Sequence, residues 1–159
     1  MSGLLLFTLF HVALSLVGIL AGVVVAFGWL GGKRLDGWTS LFLWTTVATS
    51  VTGFLFPVHH FMPSHALGIL SLIALAIAIF ARYPRSMAGH WRSTFVISAA
   101  IALYFNFFVL VVQLFEKVPA LKALAPTQSE PPFKITQLIV LLAFVILTIA
   151  AVRRFRSTV

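Results

Sequence analysis

The stretch Gly3–Leu30, GLLLFTLFHVALSLVGILAGVVVAFGWL, decides the fold: it carries no Lys, Arg, Asp or Glu and outruns the roughly 20 apolar residues that one bilayer crossing needs. It is too long for the core of a signal peptide, and no basic residue precedes it. The expectation is therefore a retained span with its N-terminus on the outer side. Working outward from that first run, at about 4–30, further apolar runs follow at about 38–56, 63–80, 94–115 and 135–152, and none holds a Lys or Arg. The runs lack the alternation of barrel strands, so helices are the only way to satisfy their backbone groups in lipid. Together they predict an all-α integral membrane protein, a single domain over 1–159, built as a bundle of five transmembrane helices with the C-terminus in the cytoplasm.

The composition agrees. The chain is 61% hydrophobic and 9% charged, with a mean hydropathy of +1.10, whereas a soluble domain is about 25% charged. The net charge of +8 does not point to nucleic acid, because the Lys and Arg residues lie in short connections and at the C-terminus, with no basic helix face. It reads as topology. Lys33, Arg34, Arg82, Arg85, Arg92, Arg153, Arg154 and Arg156 fall on one side of a five-span arrangement, against Lys117, Lys122 and Lys134 on the other, where Glu116 and Glu130 offset them. Positive residues beside spans stay cytoplasmic, which points to a bacterial cytoplasmic (inner) membrane and lipid as the first partner. Cysteine is absent, which excludes disulfide scaffolds, thiol redox chemistry and thiolate-held metal centres. The one long connection, 117–134, is expected on the outer side and holds Pro119, Pro126, Pro131 and Pro132. Loops of that length are often functional, although a stiff cover over helix ends explains it equally well.

Polar residues inside the spans mark the faces that must turn away from lipid. In the first span Ser15, Gly18, Gly22 and Ala26 form a small-residue ridge, and His11 shares their face. In the second, Thr46, Ser50, Gly53, Pro57 and His60 recur at helical spacing, although hydroxyls in spans often bond only to their own backbone carbonyls. The fourth span predicts the clearest inward stripe, Ala99, Ala102, Asn106, Val109, Gln113 and Glu116, with Asn106 near mid-membrane. Gln137 adds an amide near the outer end of the fifth.

On this arrangement four of the five histidines gather toward the outer side: His11, His59, His60 and His65. His90 lies on a cytoplasmic loop beside Trp91 and Arg92. Imidazole ligates both metals and b-type haem. A haem would take His11, flanked by Ser15 and Gly18, opposed by His65 with Gly68 or by His60 with Gly53, and Asn106 and Gln113 would approach the same pocket. A bare transition metal would draw on three of His11, His59, His60 and His65, with Glu116 as a further ligand. The plainer explanation is an interfacial His–His pair and a His11 that bonds across helices, with no cofactor. A histidine pair in a four- or five-helix bundle resembles the general design of membrane b-type cytochromes; that resemblance implies at most one haem here and extends to no residue-by-residue motif.

Two function classes follow. One is a small redox protein that holds haem or metal and exchanges electrons with a quinone or a soluble partner. The other is a non-catalytic accessory or assembly subunit of a larger membrane complex, docking through its small-residue stripes. Transport is disfavoured, since no span carries an ionisable residue other than His11 and no inverted repeat is present. Hydrolysis lacks an acid, base and nucleophile on one span face.

Overall fold

The computed structural model describes residues 2–156, and within them every regular element is helical. The order is α1 (Gly3–Leu30), α2 (Asp36–Gly53), α3 (Pro63–Arg82), α4 (Trp91–Lys117), the short α5 (Pro119–Leu124) and α6 (Pro131–Arg154). Four of these, α1, α3, α4 and α6, are long and apolar enough to cross a membrane. The fifth long helix, α2, is not among them, because Thr and Ser occupy seven of its positions (39, 40, 45, 46, 49, 50 and 52) and lower its hydropathy. Its hydroxyls are nonetheless largely satisfied inside the helix: Thr45 Oγ1 donates to Leu41 O at 2.6 Å, Thr49 Oγ1 to Thr45 O at 2.8 Å and Thr52 Oγ1 to Ala48 O at 2.7 Å.

The long helices pack as a ring, α1 on α2, α2 on α3, α3 on α4, α4 on α6 and α6 on α1, with α4 also touching α1 across the middle. Small residues set the close approaches. A Cβ on Gly22 would stand 2.5 Å from Leu103 Cδ1 and 2.9 Å from Phe42 Cδ1, so only glycine lets α1 meet α2 and α4 there. Between α3 and α4 the same service comes from Ala74, Ala78 and Ala81 against Ala99, Ala100 and Ala102, all buried. The α6 helix buries least, and Leu138, Ile139, Leu142 and Ile146 lie on its exposed surface.

One end of the bundle gathers the basic residues. Arg82, 5% exposed, donates from Nη2 to Asp36 Oδ1 at 2.5 Å and lies over the Phe95 ring, tying α3 to the start of α2 and to α4. Arg34 Nε reaches the same Oδ1 at 2.7 Å. Arg92 Nη1 donates to Val152 O at 2.8 Å and to Phe155 O, closing the last turn of α6. The other end carries the turn 54–62 and the 117–134 connection, whose α5 segment folds back so that Ala125 is fully buried against Val111 and Phe115. Gln128 Nε2 pins that connection to Val112 O at 3.0 Å.

Two expectations are corrected here. The second apolar run predicts a helix as far as Phe56, with its stripe carried on to Pro57 and His60; α2 instead ends at Gly53, and His60 stands exposed in the turn beyond. The stripe on α4 faces inward as far as Val109, which lines the cavity described below, while Gln113 and Glu116 are exposed. Winding accounts for Glu116, about 80° around the helix from Asn106 at 100° per residue, whereas Gln113 stands within about 20° of Asn106 and is exposed near the end of α4. Beyond Val109 the buried face belongs to Val111 and Phe115, which pack under α5.

Candidate functional site

His11 lies on α1 eight residues from the helix start, about 12 Å along the axis at 1.5 Å per residue. At that level the small residues of α2 and α3 leave a gap. A cavity of about 130 Å³ opens among α1, α2, α3 and α4, and His11, Ser50, Gly53, His65, Phe105 and Asn106 are among its lining. Ser15 and Gly68 line it too, whereas Gly18, also expected to flank a ring held by His11, is buried against Thr45 and Thr46 instead. Gly68 has a specific reason to be small: a Cβ there would meet the Phe54 ring at 2.9 Å, and Phe54 is the ring stacked on His65, 5.5 Å between centroids. Among the described residues no Lys, Arg, Asp or Glu lines the cavity.

The hydrogen bonds of the two imidazoles assign their protons. His11 Nδ1 lies 2.7 Å from Thr52 Oγ1. The Thr52 hydroxyl has one proton and also lies 2.7 Å from Ala48 O; with that proton given to Ala48 O, the ring nitrogen is the donor and His11 Nε2 keeps a lone pair. His65 is the reverse. It sits in the first turn of α3 and its Nδ1 accepts from the backbone N–H of Met62 at 2.8 Å, so the ring proton resides on Nε2. One wall of the cavity therefore offers an acceptor and another a donor. Asn106, from α4, supplies a third group: its Nδ2 is buried and makes no hydrogen bond among the described residues. A buried N–H without an acceptor costs about 1–3 kcal/mol in proteins, a cost that a bound acceptor would remove.

The other expected ligands are elsewhere. His59 and His60 are exposed in the turn after α2. Gln113 is exposed on α4, and Glu116 borders a separate pocket with Lys122 and Gln128 beneath the α5 connection. Among the described residues no three His, Asp or Glu side chains converge as a metal group. Gln137 faces α4 and donates from Nε2 to Phe108 O at 3.2 Å, outside the cavity. His90 precedes α4 on the basic end, its ring 4.9 Å from that of Trp91.

Several residues of the site carry no signal in the sequence alone. Thr52 shares α2 with six other Thr or Ser residues, and only the meeting of α1 and α2 singles it out. Ser71, buried on α3, is paired with Ser50 at 3.4 Å. Phe54 and Phe105 are two among 16 phenylalanines.

Fold and cavity together define the class: an all-helical membrane protein with an uncharged, mainly apolar cavity among its helices that carries a few polar side chains. No family model matches the chain, and no curated protein or solved structure matches it.

Proposed function

We propose that this chain crosses the membrane five times, with its basic end cytoplasmic, and that its outer-half cavity binds one small, uncharged cofactor or ligand of the kind used in membrane redox chemistry. The observation that carries this reading is the unpartnered Asn106 amide, buried beside two neutral imidazoles whose free nitrogens have opposite hydrogen-bonding character. Five crossings are supported by the ring packing, in which α2 lies between α1 and α3, and by the opposed ends of the bundle, one rich in Arg. Hydrolysis finds no support, because among the described residues no carboxylate lines the cavity. The accessory-subunit alternative gains nothing from the apolar surface of α6, which is what lipid itself would cover.

A second reading, haem, is favoured by one feature: His11 Nε2 keeps its lone pair, and Ser15 and Gly53 beside it are small. The rest of the lining fits haem less well. His65 is committed to capping Met62 through Nδ1, so its Nε2 bears a proton and is no second axial ligand. A cavity of about 130 Å³ also lies below the range of about 300–1,000 Å³ usual for sites of larger organic ligands.

The test is to purify the protein in mild detergent, record oxidised and dithionite-reduced visible spectra, and identify small molecules in an organic extract by mass spectrometry. Wild type and His90→Ala are expected to retain one stoichiometric compound that Asn106→Leu loses. Equal content in all three would overturn the proposal, and a Soret band lost in His11→Ala would select haem.

A further inference from the structure

We infer that the cavity takes the ring of a quinone-type lipid, a planar headgroup with two carbonyl oxygens on opposite edges and an apolar tail. The inference rests on the reading that this cavity binds a small uncharged ligand, and it names the chemical class.

Size comes first. A cavity of about 130 Å³ is close to the roughly 150 Å³ engineered cavity that holds one benzene, so a single six-membered ring is the natural occupant. Charge comes second. With no ionic side chain in the lining, a phosphate headgroup or a cation would be bound without a counter-charge in a low-dielectric setting, at high cost. A neutral ring with polar atoms suffers no such penalty.

Hydrogen bonding then narrows the class. The lining includes two side chains from different helices that carry N–H donors, the Asn106 amide on α4 and the His65 ring on α3, which suits a ligand with two separate acceptor oxygens. It also presents one strong acceptor, His11 Nε2 on α1, suited to a hydroxyl proton of the reduced, quinol form. Oxidised and reduced rings thus both find partners. A hydrocarbon ring would leave all three unsatisfied, and a simple alcohol would have one oxygen to share among groups on three helices. Phe54 and Phe105, also in the lining, supply aromatic surface for the faces of the ring. The site's depth matches a ligand that arrives through the bilayer: Asn106 lies 11 residues, about 16 Å, from the end of α4, near the middle of a roughly 30 Å hydrocarbon layer.

The experiment uses the full chain in phosphatidylcholine nanodiscs, titrated with a decyl-tailed benzoquinone and, separately, with decylbenzene, which has the same shape without the oxygens. Saturable one-to-one binding of the quinone is expected, at least about tenfold tighter than decylbenzene, with Asn106→Leu and His65→Phe each weakening it by about tenfold or more and His90→Ala leaving it unchanged. Asn106→Leu is close in volume and removes an unpaired buried amide, so it is expected to melt no lower than wild type, and its loss of binding is then not a loss of fold. Equal binding by wild type and Asn106→Leu, or equal affinity for both probes, overturns the inference. If neither probe binds while an extracted native compound still depends on Asn106, the quinone class fails and the small-ligand site stands; if no compound is retained and no probe binds, both fail.

Discussion

At Thr52 the one hydroxyl proton has two acceptors within reach, Ala48 O and His11 Nδ1, and the protonation of the His11 ring follows from giving it to Ala48 O. Nitrogen-15 spectra of histidine-labelled protein are expected to show His11 protonated on Nδ1 and His65 on Nε2. Thr52→Val removes the acceptor, and the His11 signal should shift toward the other tautomer while His65 stays unchanged; an unaltered His11 signal would break the link between the two residues. The same logic of a single shared atom governs Asp36, whose Oδ1 receives both Arg34 and Arg82. The hydrogen bond from Arg34 is the largest influence on its carboxyl. With Arg82 acting in the same direction, it outweighs a small desolvation and holds the group below its ordinary value of 3.8. A depressed folded pKa means stability that is complete above the unfolded value and lost as pH falls through the folded one. Acid should therefore loosen the α2–α3 junction below about pH 4, and Asp36→Asn should remove that part of the acid dependence. Because Arg82 is buried and keeps its charge, Asp36→Ala is expected to cost about 1–3 kcal/mol at neutral pH, read by thermal unfolding in detergent.

At the scale of the element, helix approach is controlled by what has no side chain. Gly22→Ala would press a methyl onto Leu103 and Phe42, both essentially fully buried, and overpacking of that kind costs about 1–3 kcal/mol. Gly37→Ala, where nothing lies within 4 Å of the added carbon, is the matched control and should be neutral or slightly stabilising. Equal melting of the two variants would contradict the close α1–α2–α4 contact. The GxxxG spacing on α1 is legible in the sequence, since Gly18 and Gly22 share a face by helix arithmetic alone. The alanines of α3 are not, because Ala is ordinary in an apolar helix and only the facing Ala99 and Ala102 give Ala74, Ala78 and Ala81 a meaning.

For the whole molecule, the opposed ends of the ring make the proposed orientation measurable. The chain has no cysteine, so single substitutions report without interference. In intact cells a membrane-impermeant maleimide should label Ala123→Cys, on exposed α5, and should reach Ala88→Cys, exposed on the basic end, only after the membrane is opened. The reverse pattern would invert the proposed orientation, and labelling of both in intact cells would refute a spanning α4, the one long helix between the two positions.

By itself the sequence determined that the chain is helical and membrane-bound, because long uncharged runs admit no other backbone solution in lipid, and the bounds of α1 and α3 follow within about two residues from where those runs stop. It also brought His11, His65 and Asn106 into one candidate set, since a buried polar group in such a run must face another helix. Only the tertiary structure decided which members of that set meet. His60 left it because α2 ends at Gly53, Gln113 and Glu116 left it because they stand exposed near the end of α4, and Thr52 and Phe54 joined it through contacts between helices that no spacing along one helix encodes. The protonation of the two imidazoles belongs to the same category. It is set by one hydroxyl and one backbone N–H, whose positions depend on how the helices pack and end.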